Sequence, residues 1–280
     1  MRRQAWWVVG AMVLACACDG GVGEPDGAVA RVDSSIAGDD DAGADRDSGS
    51  RPADGGPLID DAGPADLDAG PPAWVFEEVD GLVAFEAEHF STNDDQGTPR
   101  AWYLTAEGTI PGVTPDPDEP HHESASGGAY LEGLPDTRVT HDDPIRNGDS
   151  FFDDGGDGPM LTYRVVFSTP GRYYVHARAY STGTEDNGVH VGVDDTWPAS
   201  GRRIQWCSGK NRWTWSSAQR DSGGSACGVE HTIFIDVPSA GEHLIQLSMR
   251  EDGFELDKVI LTLDDAYVPD GAGPPERLAP

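Results

Sequence analysis

Acidic residues near both ends of the aromatic-containing part of the chain have a spacing that suits cation binding. Glu86 and Glu88 alternate in the segment VAFEAEHF at 83–90. Side chains at i and i+2 leave a strand on the same face, so the two carboxylates project together. They repel each other unless a cation, a proton or an Arg lies between them. Asp257, in the strand pattern ELDKVIL at 255–261, is the expected third oxygen donor for Ca²⁺.

A tryptophan-rich segment at 194–228 is the second candidate site. Sugars present C–H patches on their ring faces and hydroxyls at their edges, so sugar sites pair a flat aromatic ring with hydrogen-bonding groups. Trp213 and Trp215 alternate with polar residues and would share one face of an extended segment. The alternative is a small core packed around a disulfide. The tryptophans of this segment are Trp197, Trp206, Trp213 and Trp215.

Catalytic motifs are weak in this sequence. Adjacent carboxylates point to opposite faces of a strand, whereas glycoside hydrolysis needs two carboxyl groups about 5–10 Å apart across a cleft. The triplet HHE at 121–123 lacks the i, i+4 spacing of a helical zinc protease motif. The sequence also contains no Gly-x-Ser-x-Gly element, P-loop or dinucleotide fingerprint. We therefore predict a binding protein, and a polysaccharide hydrolase or lyase is the less favoured alternative.

The first 18 residues have the pattern of an export signal. Two arginines precede a short apolar run that is too short to span a bilayer permanently. The sequence VLAC at 13–16 resembles a bacterial lipobox and predicts lipidation of Cys16, with Cys18 as the alternative. Buried acyl chains contribute roughly 0.8 kcal/mol per CH₂ to membrane anchoring. An exported protein held by a lipid in the bacterial outer membrane or on the cell surface is expected.

Residues 19–73 form an acidic stretch without an aromatic residue, with 14 acidic residues against three arginines. Such a stretch cannot bury enough apolar surface to offset its ordering entropy, which predicts a disordered tether. The whole chain has a formal net charge of −31. This acidity disfavours nucleic acid and anionic lipid as partners, because both require Lys- and Arg-rich faces. The membrane is then contacted only through the lipid anchor.

The folded unit is predicted at 74–268, followed by a loose tail at 269–280 that is rich in Pro and Gly. Short segments alternate apolar and polar residues and are bounded by turn-forming residues, and none has a sustained helical period. This pattern predicts an all-β sandwich. The strand segments are 82–89, 129–132, 160–168, 172–180, 188–193, 231–237, 242–249 and 255–263. Cys207 and Cys227 are expected to form a disulfide, because the chain is exported.

Five motifs occur in the order seen in family 6 carbohydrate-binding modules and their galactose-binding-like relatives. They are FEAEHF at 85–90, ASGGAYL at 125–131, PGRYYVHAR at 170–178, NGVHVGVD at 187–194 and the strand at 255–261. The chain resembles that family over most of its folded part. The resemblance implies a jelly-roll sandwich, and it implies that Glu86, Glu88 and Asp257 hold a structural Ca²⁺. A salt-bridge cluster with Arg or Lys is the alternative role for these three residues.

The resemblance also implies ligand contacts at the loop edge of the sandwich. The matching residues here are Asn187, after the central hairpin, and Arg250, Glu251 and Asp252, before the last strand. This sequence departs from the family by carrying Glu251-Asp252 where an amide is common, which favours a neutral or galactose-containing glycan. We therefore predict a monomeric, non-catalytic polysaccharide-binding lipoprotein. An adhesive protein that binds a protein or matrix partner is the alternative.

Overall fold

The computed structural model describes residues 74–183, 185–207 and 209–280. The predicted export signal (1–18), lipidation of Cys16 or Cys18 and the tether (19–73) lie outside the described residues. Among the described residues, the secondary structure consists of strands and four three-residue 3₁₀ helices. No helix within these ranges is long and apolar enough to cross a membrane.

The described region contains thirteen strands, and each predicted strand segment overlaps one of them. In chain order the strands are β1 (Val75–Glu77), β2 (Leu82–Glu86), β3 (Thr92–Asp94), β4 (Ala101–Ala106), β5 (Ala129–Leu134), β6 (Met160–Phe167), β7 (Gly171–Tyr180), β8 (Gly188–Val193), β9 (Ile204–Gln205), β10 (Thr214–Ser216), β11 (Phe234–Val237), β12 (Gly241–Met249) and β13 (Glu255–Thr262).

The strands form two sheets, which confirms the all-β sandwich. One sheet has the order β1-β6-β12-β8-β9, with β3 also paired to β6. The other has the order β10-β7-β13-β5-β4, with β11 paired to β7 and β2 paired to β13. The first and last predicted strands, β2 and β13, are antiparallel neighbours, and Glu86 lies opposite Lys258. The ends of the folded chain therefore meet within one sheet.

Alternation along the strands decides which side chains enter the core. In β7, Val175, Ala177 and Ala179 are fully buried in the apolar cluster between the sheets. Because successive side chains point to opposite faces, the intervening residues of β7 lie on the outer face of the seven-stranded sheet. The same alternation places Glu86 of β2 and Glu132 of β5 on that outer face, since their neighbours Phe85 and Leu131 belong to the core. Polar groups are thus concentrated on one face.

The C-terminal tail packs against the folded unit, which corrects the expectation of a loose segment at 269–280. Ala279 N–H donates to the Val75 carbonyl over 2.8 Å, and Glu77 N–H donates to Arg277 O over 3.0 Å. A Glu276 carboxylate oxygen lies 2.9 Å from His89 Nδ1. These contacts need residues far apart in the sequence, so the Pro- and Gly-rich composition of the tail did not reveal them.

Several short strands were not predicted, and each depends on a partner for its extended shape. β3 and β4 lie between the predicted strand segments 82–89 and 129–132, and β4 pairs along its whole length with β5. β10 lies in the tryptophan-rich segment and pairs with three residues of β7. Runs of three to six residues carry too little pattern to be recognised locally.

Candidate functional site

Trp213 and Trp215 line an open groove of about 570 Å³ on the outer face of the seven-stranded sheet. Both indoles are partly exposed. The groove is also lined by Arg178 of β7, by Arg212 and by Glu230. The expectation that these two tryptophans share one face is therefore confirmed. Flat apolar surface and hydrogen-bonding groups occur side by side in this groove.

Strand pairing places the two indoles in the groove. β10 pairs antiparallel with β7, so Trp215 is the direct cross-strand partner of Arg178. The Arg178 guanidinium carbon lies 5.6 Å from the centre of the Trp213 ring. Trp213 is also in edge-to-face contact with Tyr130 and Tyr180, at centroid distances of 5.3 and 5.5 Å. Its position is thus determined by rings from two strands.

Hydrogen bonds hold both indole N–H groups. Trp213 Nε1 donates to the His121 carbonyl over 3.2 Å, and Trp215 Nε1 donates to Gly271 O over 3.0 Å. Gly271 belongs to the C-terminal tail, which forms one wall of the groove. The indoles are therefore oriented in advance, which reduces the entropy that a ligand would lose on ordering them.

The other two tryptophans of the segment contact the protein instead. Trp206 is 2% exposed, and its ring packs 5.0 Å from that of Phe254. Trp197 is partly buried, and its indole packs against Gly155, Gly156 and Gly192. A Cβ on Gly155 or Gly156 would lie only 2.6 or 2.5 Å from this indole. The prediction that Trp206 contacts a ligand is therefore wrong, because its side chain belongs to the core. Trp197 lies outside the groove. The alternative of a small core holds for part of the segment.

The loop-edge residues also need correction, because the structure buries all four of them: Asn187, Arg250, Glu251 and Asp252. Arg250 pairs with Glu251, and Glu251 Oε2 accepts the Asn187 N–H over 2.9 Å. Asp252 accepts hydrogen bonds from Arg100 Nη2 at 3.1 Å and Thr137 N at 2.8 Å. These groups hold neighbouring loops together and leave no surface for a polysaccharide. Charged residues before a strand suggest exposure, but ion pairing removed these from solvent.

The predicted disulfide between Cys207 and Cys227 is present, with a Cα–Cα distance of 5.4 Å. It joins the two ends of the segment that contains β10. Closing a loop of this size contributes roughly 3 kcal/mol in the chain-entropy account. The disulfide therefore stabilises the segment that carries both groove tryptophans.

Glu86 and Asp257 lie on β2 and β13, whereas Glu88 lies in the turn that follows β2, close enough to both for their charges to act on it. The Ala87 N–H donates to the Asp257 carbonyl over 2.9 Å. Burial, together with the charges of Glu86 and Asp257, raises the pKa of Glu88 to about 8. Gly127 allows the turn at 126–128 to approach closely, since a Cβ there would lie 3.4 Å from Glu88 Oε1. We call Glu86, Glu88 and Asp257 the terminal-strand triad.

Two basic side chains already contact the terminal-strand triad. Lys258 Nζ lies 2.7 Å from Glu86 Oε1, and Arg178 pairs with Asp257. Ser126 N–H donates to Asp257 Oδ1 over 2.7 Å. Buried Glu86 Oε2 and Glu88 Oε2 have no hydrogen-bond partner, so part of the triad's acceptor capacity is unused. Carboxylate oxygens are the donors that Ca²⁺ prefers, but within the described residues the ligand oxygens of these three do not all lie within 4.8 Å of one another, and Lys258 and Arg178 supply much of the neutralising charge.

A second group of carboxylates lies on the same face, towards the loop edge. It consists of Asp116, Asp118, Glu132 and Glu255, which we call the loop-edge tetrad. Glu132 of β5 and Glu255 of β13 are direct cross-strand partners. Burial, with nearby carboxylates, raises the pKa of Glu132 to about 9 and that of Asp118 to about 7. Like charges directly opposite each other destabilise a sheet, so this arrangement is costly without a counter-charge.

The tetrad, Arg178 and Glu230 were not predicted as site residues. Two signals were present in the sequence: Glu255 alternates with Asp257, and Asp116 alternates with Asp118 across Pro117. Arg178 ends the motif at 170–178, but nothing local shows that β10 will pair beside it. Glu132 stands alone in an apolar strand, and only the pairing of β5 with β13 brings it to Glu255.

Comparisons with known proteins give similarities of three kinds: to a family model, to a curated relative and to solved structures. Residues 143–276 match the model of the glycosyl hydrolase family 115 C-terminal domain. Over 207 residues, 73% of this chain, the protein is 50% identical to uncharacterized protein P23 of Formosa agariphila. The chain spans about half the length of that curated relative, 49%.

Among solved structures, similarity is found to carbohydrate-binding modules. A family 35 module from Clostridium thermocellum aligns with 64% of this chain and 96% of its own, at 12% identity and a TM-score of 0.35. The C-terminal CBM6 of a laminarinase from Zobellia galactanivorans aligns with 65% of this chain and 98% of its own, at 13% identity and a TM-score of 0.32.

Proposed function

We propose that the folded part of this protein binds a polysaccharide without cleaving it, through the groove lined by Trp213 and Trp215. The observation that carries this proposal is the pair of partly exposed, hydrogen-bonded indoles on one face of the sheet. Sugar rings stack their C–H faces on such surfaces, and the neighbouring polar groups accept or donate hydrogen bonds to hydroxyls.

Polar groups beside the indoles suit this role. The Arg178 guanidinium contacts the Trp213 ring and pairs with Asp257, so the protein fixes the orientation of Arg178. Glu230 accepts hydrogen bonds from Ser217 N at 3.0 Å and from Ser217 Oγ at 2.8 Å. Arg212 is exposed at the rim. Donors and acceptors thus surround the stacking surface.

The groove composition supports binding over hydrolysis. Of the described residues that line it, Glu230 alone carries a carboxylate. Glycoside hydrolysis by the common mechanisms requires two carboxyl groups. The resemblance of residues 143–276 to a domain of a glycosyl hydrolase family supports a sugar polymer as the ligand. A polysaccharide-binding module beside a separate enzyme is consistent with both observations.

The export signal and VLAC sequence support display of a monomer on the outer membrane or cell surface through a lipid at Cys16. Globomycin treatment of expressing cells, followed by mass analysis of the N terminus, tests this location. Accumulation of an uncut precursor supports the lipid anchor, and a mature protein without diacylglycerol contradicts it.

Affinity gel electrophoresis on neutral and acidic polysaccharides tests the glycan proposal. We expect retardation by at least one polymer, and Trp213→Ala and Trp215→Ala should each weaken binding about tenfold or more, about 1.4 kcal/mol. Trp197→Ala is the matched control, because its indole lies against the glycines of another region.

Three outcomes contradict the proposal. The first is retardation that survives both groove substitutions, and the second is release of new reducing ends, which would show catalysis. The third is capture of a purified matrix protein, lost on Trp213→Ala, without any glycan binding. That result would favour the adhesive alternative, because aromatic residues and Arg also dominate protein interfaces.

We also propose that the terminal-strand triad holds a structural Ca²⁺ in addition to its contacts with Lys258 and Arg178. The unpartnered oxygens of Glu86 and Glu88 support this proposal. A bound cation would stabilise the pairing of β2 with β13. We expect EDTA to lower the melting temperature of wild-type protein, with a smaller effect on Glu88→Gln. An identical EDTA response in both proteins would contradict a cation at the triad.

A further inference from the structure

The loop-edge tetrad lies apart from both the groove and the terminal-strand triad. Glu132 and Glu255 come from adjacent strands, and Asp116 and Asp118 come from the segment that follows β4. One oxygen each of Asp116, Asp118 and Glu132 lies within 4.8 Å of the others. One ligand atom each of Asp118, His121 and Glu255 meets the same limit. Asp118 therefore joins the two sets.

Burial separates the tetrad from an ordinary acidic surface. Glu132 is 3% exposed and Glu255 is 1% exposed. The buried atoms Glu132 Oε1, Glu255 Oε2 and Asp116 Oδ1 have no hydrogen-bond partner. An unsatisfied buried acceptor costs about 1–3 kcal/mol, and more when it is charged. Three such atoms in one cluster indicate that a group with positive charge completes it.

Within the described part of the chain, no Lys or Arg forms an ion pair with the tetrad. The one cationic partner is His121, whose Nδ1 lies 2.7 Å from Glu255 Oε1. This single imidazole stands against four carboxylates, so most of their charge has no partner in the described chain. Other buried carboxylates of the same face do have basic partners, as Glu86 has Lys258.

We propose that the loop-edge tetrad is a binding site for a hard divalent cation, occupied by Ca²⁺. Calcium binds carboxylate oxygens at 2.3–2.6 Å, so two oxygens on one ion lie at most about 5 Å apart. One oxygen each of Asp116, Asp118 and Glu132 meets this limit with the others, and Glu255 meets it with Asp118. Ca²⁺ also tolerates irregular geometry, which suits donors from two strands and one loop, whereas Mg²⁺ demands near-ideal octahedral geometry.

His121 is placed to orient the ligand set. Its hydrogen bond to Glu255 Oε1 leaves Glu255 Oε2 for the cation, which is the usual role of an outer-shell partner. The His121 ring also stacks on Tyr180 at 3.7 Å, and its carbonyl accepts the Trp213 indole N–H. A cation that orders residues 116–121 would therefore also fix the His121 carbonyl that accepts the Trp213 indole N–H. The site itself stands independently of glycan binding.

Calcium titration of the full chain, stripped with EDTA and dialysed, tests the proposal. Isothermal titration calorimetry should show a binding event that is lost, or weakened at least tenfold, in Asp118→Asn and Glu132→Gln. Glu88→Gln is the matched control, because it neutralises a buried carboxylate of the other cluster. The control should keep this event, whether or not the terminal-strand triad binds a second ion.

Terbium luminescence provides a second readout. Tb³⁺ replaces Ca²⁺ at carboxylate sites and is sensitised by nearby indoles, and Trp213 is the indole that contacts His121. We expect sensitised emission in wild type and in Glu88→Gln, displaced by added calcium. Emission should be lost in Glu132→Gln.

Melting curves in EDTA separate a cation site from a role in folding. Without a cation, Glu132→Gln replaces a buried acid that faces Glu255 with a neutral group of the same shape, so its melting temperature should equal or exceed that of wild type. Added calcium should then raise the melting temperature of wild type more than that of the variant. Equal calcium binding by wild type and Glu132→Gln would overturn the proposal, as would a lower melting temperature of both tetrad variants in EDTA.

Discussion

Two carboxylate clusters lie on the same face of one sheet and differ in how their charge is balanced. In the terminal-strand triad, Lys258 contacts Glu86 at 2.7 Å and Arg178 pairs with Asp257. In the loop-edge tetrad, Glu132 and Glu255 face each other across two strands, no Lys or Arg of the described chain forms an ion pair with either, and one imidazole, His121, contacts Glu255 at 2.7 Å. The triad is therefore largely neutralised by the protein itself, whereas the tetrad depends on something from solution.

This difference shows that the number of carboxylates is a poor guide to a metal site. The triad has the alternating pattern that suggests Ca²⁺, yet two of its members also form ion pairs. The tetrad has a weaker sequence pattern, but its burial, its cross-strand repulsion and its unpartnered oxygens create a larger demand for a cation. The basic residues nearby decide how much charge remains to be balanced.

Removal of the positive charge of Lys258, which pairs with Glu86, should have the largest effect on stability. Lys258→Met leaves Glu86 buried without its partner, and breaking a buried pair by removing one member costs about 3–5 kcal/mol. We expect the free energy of unfolding in EDTA, measured by urea denaturation, to fall by about that amount. The double variant Lys258→Met/Glu86→Gln should recover most of the loss, because no unpaired charge remains. A loss below about 1 kcal/mol in the single variant would mean that Lys258 does not balance the triad.

A buried histidine outside both clusters should account for much of the acid sensitivity. His190 is fully buried, its Nε2–H donates to the Phe152 carbonyl over 3.0 Å, and its Nδ1 accepts the Arg203 N–H over 3.0 Å. Burial lowers the pKa of His190 to about 4. The unfolded chain, with an ordinary pKa of about 6.5, therefore binds the proton first as pH falls. Its contribution is complete above about pH 6.5 and is lost on acidification towards pH 4.

The variant His190→Gln isolates this effect from the carboxylates. The difference in unfolding free energy between wild type and variant should shrink as pH falls from 7 to 4, by up to about 3 kcal/mol for a shift of this size. Urea denaturation in EDTA at several pH values measures it. A difference that does not change with pH would show that His190 does not titrate in this window, and the acid sensitivity would then belong to the clusters.

Neutralisation of the tetrad should have the smallest effect, and its sign should be opposite to that of the Lys258 variant. In EDTA at neutral pH, Glu255→Gln should raise the unfolding free energy by about 1 kcal/mol, because burial raises the pKa of Glu255 and folding must either bury its charge opposite Glu132 or take up a proton, a cost that Gln avoids. Glu86→Gln, the same change in the triad, should lower it because Lys258 loses its partner. If both substitutions shift stability in the same direction, the contrast between the clusters fails.

Much of the fold was predictable because its long strands carry their own pattern. β6, β7 and β12 contain alternating stretches of buried and less buried residues, β13 is buried along its whole length, and the sequence predicts all four. Alternation also predicted that Trp213 and Trp215 share one face. The packed C-terminal tail and short strands such as β10 were missed, since their conformation comes from hydrogen bonds to distant residues.

The site was less predictable than the fold because exposure is not a local property. Asn187, Trp206, Arg250, Glu251 and Asp252 have residue types common in sugar sites, yet all five are buried and hold the protein together. An arginine next to an acidic residue can be an exposed contact or a buried ion pair, and the sequence is the same in both cases. Only the packing of loops against the sheet distinguishes them.

The sequence by itself determined the β-sandwich and the pairing of Cys207 with Cys227. These properties depend on alternation and on chemistry that residues carry with them. The tertiary structure decided which tryptophans face solvent, which carboxylates receive a basic partner and which remain unbalanced. Those properties depend on distances between segments far apart in the chain, and a buried charge costs free energy according to the neighbours that folding brings to it.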